Sequence, residues 1–333
     1  MFALSAADPT LTPVTSSSPT PPTAAAPRAD RTWMVAVAAS FWGLSALWRG
    51  PLARELPSLT IVFWEHVLLV VLVSPWLLPA LRRLRAARPS TMVAVLVIGA
   101  GSSALATVLF TAAFRMGDPI TPQVLQKLQP LFAVALAALL LGERLRPRYA
   151  AFLVPALLGA WLLAFPDPLA VSVSSARAAL LAVGAAVLWA AGTVLGRYAS
   201  AELRFRDLVA LRFAIGLVTL GLLAALTSTP LQVPRTAYLS IVLLALLPGL
   251  AAMVLYYLAL GRTPASRATL AELAFPLTAA LVGIVAFDAR PEPTQWLGIV
   301  VVLVTVVALA LHEQRSRTPA VVARTPVRAH VEA

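Results

Sequence analysis

From Trp33 onward the chain is a succession of long apolar runs, broken by short clusters of arginine, proline or acidic residues. Ten runs stand out, at 33–48, 58–80, 92–114, 120–141, 149–165, 178–196, 208–228, 238–260, 268–287 and 295–311. A helix that crosses a hydrocarbon core of ~30 Å at 1.5 Å per residue needs ~20 predominantly apolar residues. Most of the runs meet that length; the first, fifth and tenth are short and are expected to extend into their flanks. The pattern predicts an all-α integral membrane protein of ten transmembrane helices. Residues 1–32, rich in Pro, Ser, Thr and Ala, and the basic stretch 312–333 read as disordered cytoplasmic tails.

Composition sharpens this picture. The chain is 60% hydrophobic and 12% charged, with mean hydropathy +0.86, more apolar surface than a soluble protein of this size can hide. There are no cysteines, which excludes disulfides, thiolate metal sites and cysteine nucleophiles. The net charge of +12 would suit a nucleic-acid binder only if it lay on a soluble face. Here most of it sits in short loops between apolar runs, so no nucleic-acid partner is expected. With both termini cytoplasmic, 18 arginines fall in inside segments and six (Arg49, Arg54, Arg115, Arg177, Arg235, Arg290) outside. That bias predicts an even number of crossings and both ends inside a cytoplasmic membrane.

The chain also repeats itself. AASFWGLSALW around Trp42 echoes GAAVLWAAGTVLG around Trp189, and VLFTAAF before Arg115 echoes VLYYLAL before Arg262. LQKLQPLFAVALAALLLG (125–142) echoes LAELAFPLTAALVGIVAF (270–287) once one residue is inserted before the proline. The offset is about 146 residues, or five runs. An odd number of crossings per copy turns the second copy upside down. Two inverted five-helix repeats, 33–166 and 176–311, are therefore expected, with substrate held near the midplane between them.

The stretch PLFAVALAALLLGERL (130–145) resembles a hallmark of the EamA family in the drug/metabolite transporter superfamily. WAAGTVLGR (189–197) is similar to the opening helix of that repeat, and ALGRTPAS (259–266) to its third-to-fourth helix junction. The second copy departs from the pattern, ending DARP where the first has GERL. The resemblance covers residues 33–312. It implies ten helices, cytoplasmic termini, a central cavity, and export or uptake of amino acids or related metabolites, without naming one substrate.

Five ionisable residues fall inside the runs: Glu65, His66, Lys127, Arg212 and Glu272. A charge at the bilayer centre costs ~2.5–3.5 kcal/mol on insertion scales, so such groups face a cavity or a partner. Lys127 is the only lysine in the chain. The repeat aligns Glu65 with Arg212 and Lys127 with Glu272, which suggests two ion pairs, Glu65–Lys127 and Arg212–Glu272. These pairs either staple helices together or handle substrate and protons, and Arg212 has the further option of snorkelling to the headgroups. His66 reads either as a proton carrier or as a hydrogen-bonded packing residue.

Pro130 and Pro276, at matching places, each remove a backbone hydrogen bond and are expected to kink their helices, freeing a carbonyl near Gln126 or Glu272. Gln123, Gln126 and Gln129 surround the first kink as a polar cavity wall or as inter-helix hydrogen-bonding groups. Trp42 and Trp189 lie at matching mid-helix positions and, with Tyr256 and Tyr257, are candidates for the cavity lining or for packing. Trp33, Trp48, Trp76 and Trp296 read as interfacial anchors. Gly192 and Gly196 form a G-x-x-x-G step that permits close helix contact.

The leading reading is a secondary transporter working by alternating access on a small molecule, with or without coupled protons, surrounded by lipid as a monomer or homodimer. No cofactor, metal or enzyme activity is expected, and there is no phosphate-binding Gly-rich loop to drive pumping. The alternative is an integral-membrane transferase acting on a lipid-linked substrate. It is disfavoured by short basic loops that lack H-E-x-x-H, G-x-S-x-G or an aspartate-rich run.

Overall fold

The computed structural model of the chain describes residues 31–116, 120–142, 150–165, 172–260 and 271–317, together with Asp167, Leu169 and Thr263. The described residues are all helical or connecting. Rod one joins α1 (Thr32–Leu44) to α2 (Ala46–Glu55), and rod two is α3 (Ser58–Ala86). Rod three runs from α4 (Pro89–Val97) through a π-helical stretch (Ile98–Leu105) into α5 (Ala106–Ala113). Rod four is α6 (Ile120–Leu125), a 3-10 turn (Gln126–Leu128) and α7 (Gln129–Leu141); rod five is α8 (Ala150–Ala164). The second copy follows the same order. Rod six is α9 (Val173–Ala199) and rod seven α10 (Phe205–Leu226). Rod eight is α11 (Tyr238–Leu244), a π-helical stretch (Ala245–Ala251) and α12 (Ala252–Leu260). Rods nine and ten are α13 (Ala274–Phe287) and α14 (Pro293–Arg317).

Among the described residues, six helical runs are long and apolar enough to cross a membrane: Ser58–Ala86, Pro89–Ala113, Ile120–Leu141, Val173–Ala199, Phe205–Leu226 and Arg235–Tyr256. The remaining rods are shorter or interrupted. Rod one extends beyond its expected end, because Ala46–Glu55 continues the helix past Arg49 with Pro51 inside it. Rod ten continues to Arg317, past the expected boundary at Leu311. Of the tails expected to be disordered, 1–32 and 312–333, residues 1–30 and 318–333 lie outside the described residues, whereas Thr32 and 312–317 are helical. Large apolar side chains such as Val71, Leu139, Val218, Leu222, Val285 and Val304 are exposed, as a lipid-facing surface requires. The protein is a multi-pass membrane protein.

In lipid, helix association relies on close packing rather than on apolar burial, so small residues mark the contacts. On α9, Ala178, Ala182, Ala186, Ala190 and Val194 recur every four residues and are buried, giving one smooth stripe. That stripe lets α9 lie against α5 and α7 of the first copy. A Cβ on Gly192 would overlap the Ser102 side chain, whereas Gly196 has nothing within 4 Å, so only half of the G-x-x-x-G step makes a close contact. The mirror arrangement holds for α1, whose buried Val35, Ala39 and Gly43 face the second copy: a Cβ on Gly43 would fall 2.6 Å from the Phe275 carbonyl oxygen. Rod one therefore packs on rods eight and nine, and rod six on rods three and four. Rods two and seven pack on each other, as do rods five and ten. The copies exchange their first helices.

This exchange produces two mixed halves. One gathers rods three, four, six and seven; the other gathers rods eight, nine, one and two. At the face holding the 56–57 and 227–237 connections, called the far face, a continuous apolar cluster closes across both halves: Leu52, Leu56, Phe110, Phe114, Ile241 and Val282, among others. Toward the terminal face, which carries Thr32 and the 87–88 and 200–204 connections, rods two and seven stay packed across the halves while rods four and nine diverge. There α13 packs against α6 but not extensively against α7, so rods four and nine converge only at the far face.

Ion pairs knit the terminal face. Arg83 Nη1 donates to Asp207 Oδ1 at 2.6 Å, and Asp207 Oδ2 accepts the Arg204 N–H at 3.0 Å, an acidic cap on the first turn of α10. Glu202 accepts from the Arg88 N–H at 2.9 Å, the Arg88 Nε at 2.6 Å and the Thr91 hydroxyl at 2.7 Å. The Arg88 backbone N–H first, then the Thr91 hydroxyl and the Arg88 guanidinium, hold the Glu202 carboxyl at about 2, below its usual 4.5. Because the folded value lies below the unfolded one, this contribution is complete above pH 4.5 and fades as pH falls toward 2. The melting-temperature gap between wild type and Glu202→Gln is therefore expected to stay constant from about pH 7 to about pH 5 and to shrink only in stronger acid. A gap that closes between those two values would contradict the geometry.

Candidate functional site

The site begins with two prolines. Pro130 cannot donate to the Gln126 carbonyl, and the Gln129 N–H takes that acceptor instead, tightening residues 126–128 into a 3-10 turn. Pro276 leaves the Glu272 carbonyl in the same position, and the Phe275 N–H takes it at 3.1 Å. Both rods thus break one turn before a proline, at matching points of the repeat. Each break carries a charged residue, Lys127 in rod four and Glu272 in rod nine.

From rod four, Lys127 reaches toward rod nine of the other half. Its Nζ lies 4.2 Å from the centre of the Phe275 ring, a cation–π contact worth ~0.5–2 kcal/mol depending on desolvation. The Glu272 carboxylate is close enough to interact with Lys127 through charge. Glu272 Oε1 accepts the Tyr256 hydroxyl at 2.6 Å, which fixes the carboxylate on rod eight.

Two aromatic pairs lie on neighbouring rods, and the first touches the bridge through Tyr256. Trp42 and Tyr256 have ring centroids 5.3 Å apart, and Trp189 and Phe110 are 5.2 Å apart, both within the usual range for aromatic pairs. The repeat relates the pairs, since Trp42 matches Trp189 and Tyr256 matches Phe110. Each pair joins the first rod of one copy to the third rod of the other, so each half carries one. The Trp42 indole N–H donates to the Pro248 carbonyl at 3.0 Å, inside the wide turn of rod eight. Such turns release carbonyls from the regular ladder. Gln129 Nε2 donates to Thr193 Oγ1 at 3.1 Å, on the α9 side. Trp42, Trp189, Tyr256, Gln126, Gln129, Lys127 and Glu272 are all half-buried on rods that meet the other copy, which fits the wall of a cleft. Tyr257 has no described side chain.

The expected ion pairs are corrected. Glu65 pairs with Arg49, not Lys127: Arg49 Nη2 donates to both Glu65 oxygens at 3.1 and 3.0 Å, and Nη1 donates to Thr111 Oγ1 at 2.6 Å. The reason is topological, because rods two and four of one copy do not pack against each other. Arg49 was assigned to an outside segment, yet it is 4% exposed. A sequence signal existed: Arg49 and Glu65 each lie eight residues from Pro57 at the helical hairpin turn, which sets them side by side. Among the described residues no ion pair joins Arg212 to Glu272. Rod seven packs on rods two and three rather than on rod nine, and the Arg212 guanidinium lies 5.5 Å from the Phe213 ring centre.

His66 is buried, with Nδ1 2.9 Å from the Val62 carbonyl and Nε2 3.0 Å from Ser103 Oγ. The carbonyl can only accept, so Nδ1 carries the proton and the serine hydroxyl donates to Nε2. Both ring nitrogens are therefore occupied, and the ring packs edge-on to Phe213. Gln123 is fully buried, and among the described residues neither polar atom of its amide has a hydrogen-bond partner. Of the expected anchors, Trp33 and Trp296 are exposed. Trp48 packs instead against the far-face cluster, and Trp76 supports Arg206 at 5.5 Å.

Comparison with known proteins agrees with this architecture. The chain is 28% identical over 289 residues to the riboflavin transporter ImpX of Fusobacterium nucleatum, covering 83% of this chain and 96% of that protein. It is 29% identical over 210 residues to the uncharacterized transporter YwfM of Bacillus subtilis, covering 63% of this chain and 70% of that one. A solved crystal structure aligns with 86% of this chain and 99% of its own, with TM-score 0.58 and 21% identity, a likeness of fold. Residues 32–165 and again 176–311 match the EamA-like transporter family. The chain belongs to that family of membrane transporters.

Proposed function

We propose that the protein is a secondary transporter that carries a small metabolite across the cytoplasmic membrane by alternating access, with repeats 33–166 and 176–311 crossing it ten times and both termini inside. The arginine distribution supports that orientation. One observation carries the reading: Lys127, from one half, meets Phe275 and the charge of Glu272, from the other, and Tyr256 holds Glu272 beside Trp42. A substrate lying there contacts both halves, so its binding couples to their relative position. Rods four and nine, packed together at the far face and diverging toward the terminal face, fit the inward-facing member of such a cycle.

The substrate is taken to be an amino acid or related compound moving outward: Lys127 receives its carboxylate, Glu272 its ammonium group, and the aromatic pairs its side chain. A second reading, a flat heterocycle such as a flavin, draws on the two aromatic pairs and on the riboflavin transporter among the relatives. Purified protein in liposomes, loaded with pooled labelled amino acids or with riboflavin, with and without a pH gradient, tests both. Saturable flux of one class, competed by its unlabelled members, is expected. Vesicles that retain every compound would refute transport of these classes.

A further inference from the structure

We propose that the far-face crossing of rods four and nine is a gate, and that Gln123 is the polar group this gate withdraws from water when it shuts. The inference rests on the alternating-access reading above and adds to it the part that moves. Ile120, 1% exposed, sits where rods four and nine converge. A Cβ on Gly283 would lie 2.5 Å from Ile120 Cγ1 and 2.8 Å from Cδ1, so the contact closes only because residue 283 has no side chain. Ile120, Gln123 and Lys127 follow one another at spacings of three and four, which places them along one face of rod four. That face runs from the gate contact to the cation that bridges the halves.

Gln123 lies behind the gate with all of its amide buried and, among the described residues, no partner for Oε1 or Nε2. A primary amide offers two donors and an accepting oxygen, and burying it unmatched disfavours the buried state by roughly ten- to a hundredfold. A static core would gain by replacing it with leucine. A transporter gains from keeping it, because opening the far face returns the amide to water or to substrate. In this state Gln123 is a counterweight against the shut gate; in the opposite state it is the next polar station beyond Lys127.

The absence of cysteine from the chain makes the test direct. Val282→Cys places a single reporter in the far-face cluster beside Gly283. Full-length protein in liposomes is exposed to a membrane-impermeant maleimide from the far side, with no substrate present. Adding Gln123→Leu is expected to slow labelling about tenfold or more, by relieving the penalty on the shut state. Adding Gly283→Val is expected to accelerate it, because the valine collides with Ile120 and props the rods apart. Where Gln123→Leu cannot be purified folded, Gln123→Met carries the same expectation. Labelling of Gln123→Leu at the parent rate, in protein that melts normally, would overturn the proposal and leave Gln123 an ordinary buried amide. Equal labelling of the Gly283→Val protein and its parent would overturn the gate itself. Since the readout contains no substrate, a failure here is separable from a failure of the transport reading, which flux alone decides.

Discussion

Arg49→Met, with Glu65 retained, is expected to destabilise the folded protein by about 3–5 kcal/mol, the largest single-site effect in the chain. The Glu65 carboxylate is 6% exposed, and its two oxygens are held by one guanidinium nitrogen at 3.1 and 3.0 Å. Without Arg49 it becomes an uncompensated buried charge. Glu65→Gln alone is expected to do comparable harm from the other side, because Arg49 keeps acceptors in Thr111 and the amide oxygen but loses its opposite charge while buried. Breaking such a pair is expensive, whereas the intact pair contributes little over an apolar replacement, since desolvation of two ions offsets most of their attraction. The double variant Arg49→Met, Glu65→Leu is accordingly expected to recover most of the loss. Thermal unfolding of the four proteins in one detergent measures this as a cycle. Two single variants as stable as wild type would mean that the pair is solvated rather than buried.

The second large effect concerns transport. Lys127→Met is expected to lower the initial rate at subsaturating substrate by about tenfold to a hundredfold, the worth of a hydrogen bond to a charged partner, with little change in melting temperature. Lys127→Arg is expected to restore part of the rate, because the guanidinium keeps the charge but presents it as a flat, wider group. Tyr256→Phe removes the hydroxyl that orients Glu272, and a smaller decline of several-fold is expected. Initial rates in liposomes with matched protein content report all three. Wild-type flux through Lys127→Met would remove the ammonium group from the substrate path.

The repeat and the two kinks could be read from the chain because they are written locally. LQKLQP and LAELAFP carry both the proline and the charge at each break, and a proline acts on its own helix whatever surrounds it. The partners of the charges depend on which helices touch, and the chain does not state that. Pairing Glu65 with Lys127 assumes that helices two and four of one copy are neighbours; in the fold rod two packs on rod seven and rod four on rod six. Arg49 misleads for a related reason. It follows an apolar run directly and resembles a loop arginine until the helix is seen to continue to Glu55. The π turns at Ile98–Leu105 and Ala245–Ala251 have no plain local signature, although they occupy matching places. That the buried Gln123 amide meets no matching polar group among the described residues is a property of packing alone.

The exchange of first helices also sets an order of assembly. Rod one emerges near the start of synthesis, yet the surfaces it packs on, in rods eight and nine, are made some two hundred residues later. At ~5–20 residues per second that is a wait of about 10–40 s, during which the small-residue stripe of α1 faces lipid or whatever insertion machinery shelters it. Each five-helix copy leaves the packing face of its first helix to be covered by the other. A nascent chain halted after rod five leaves the ribosome with its first helix still lacking its mate.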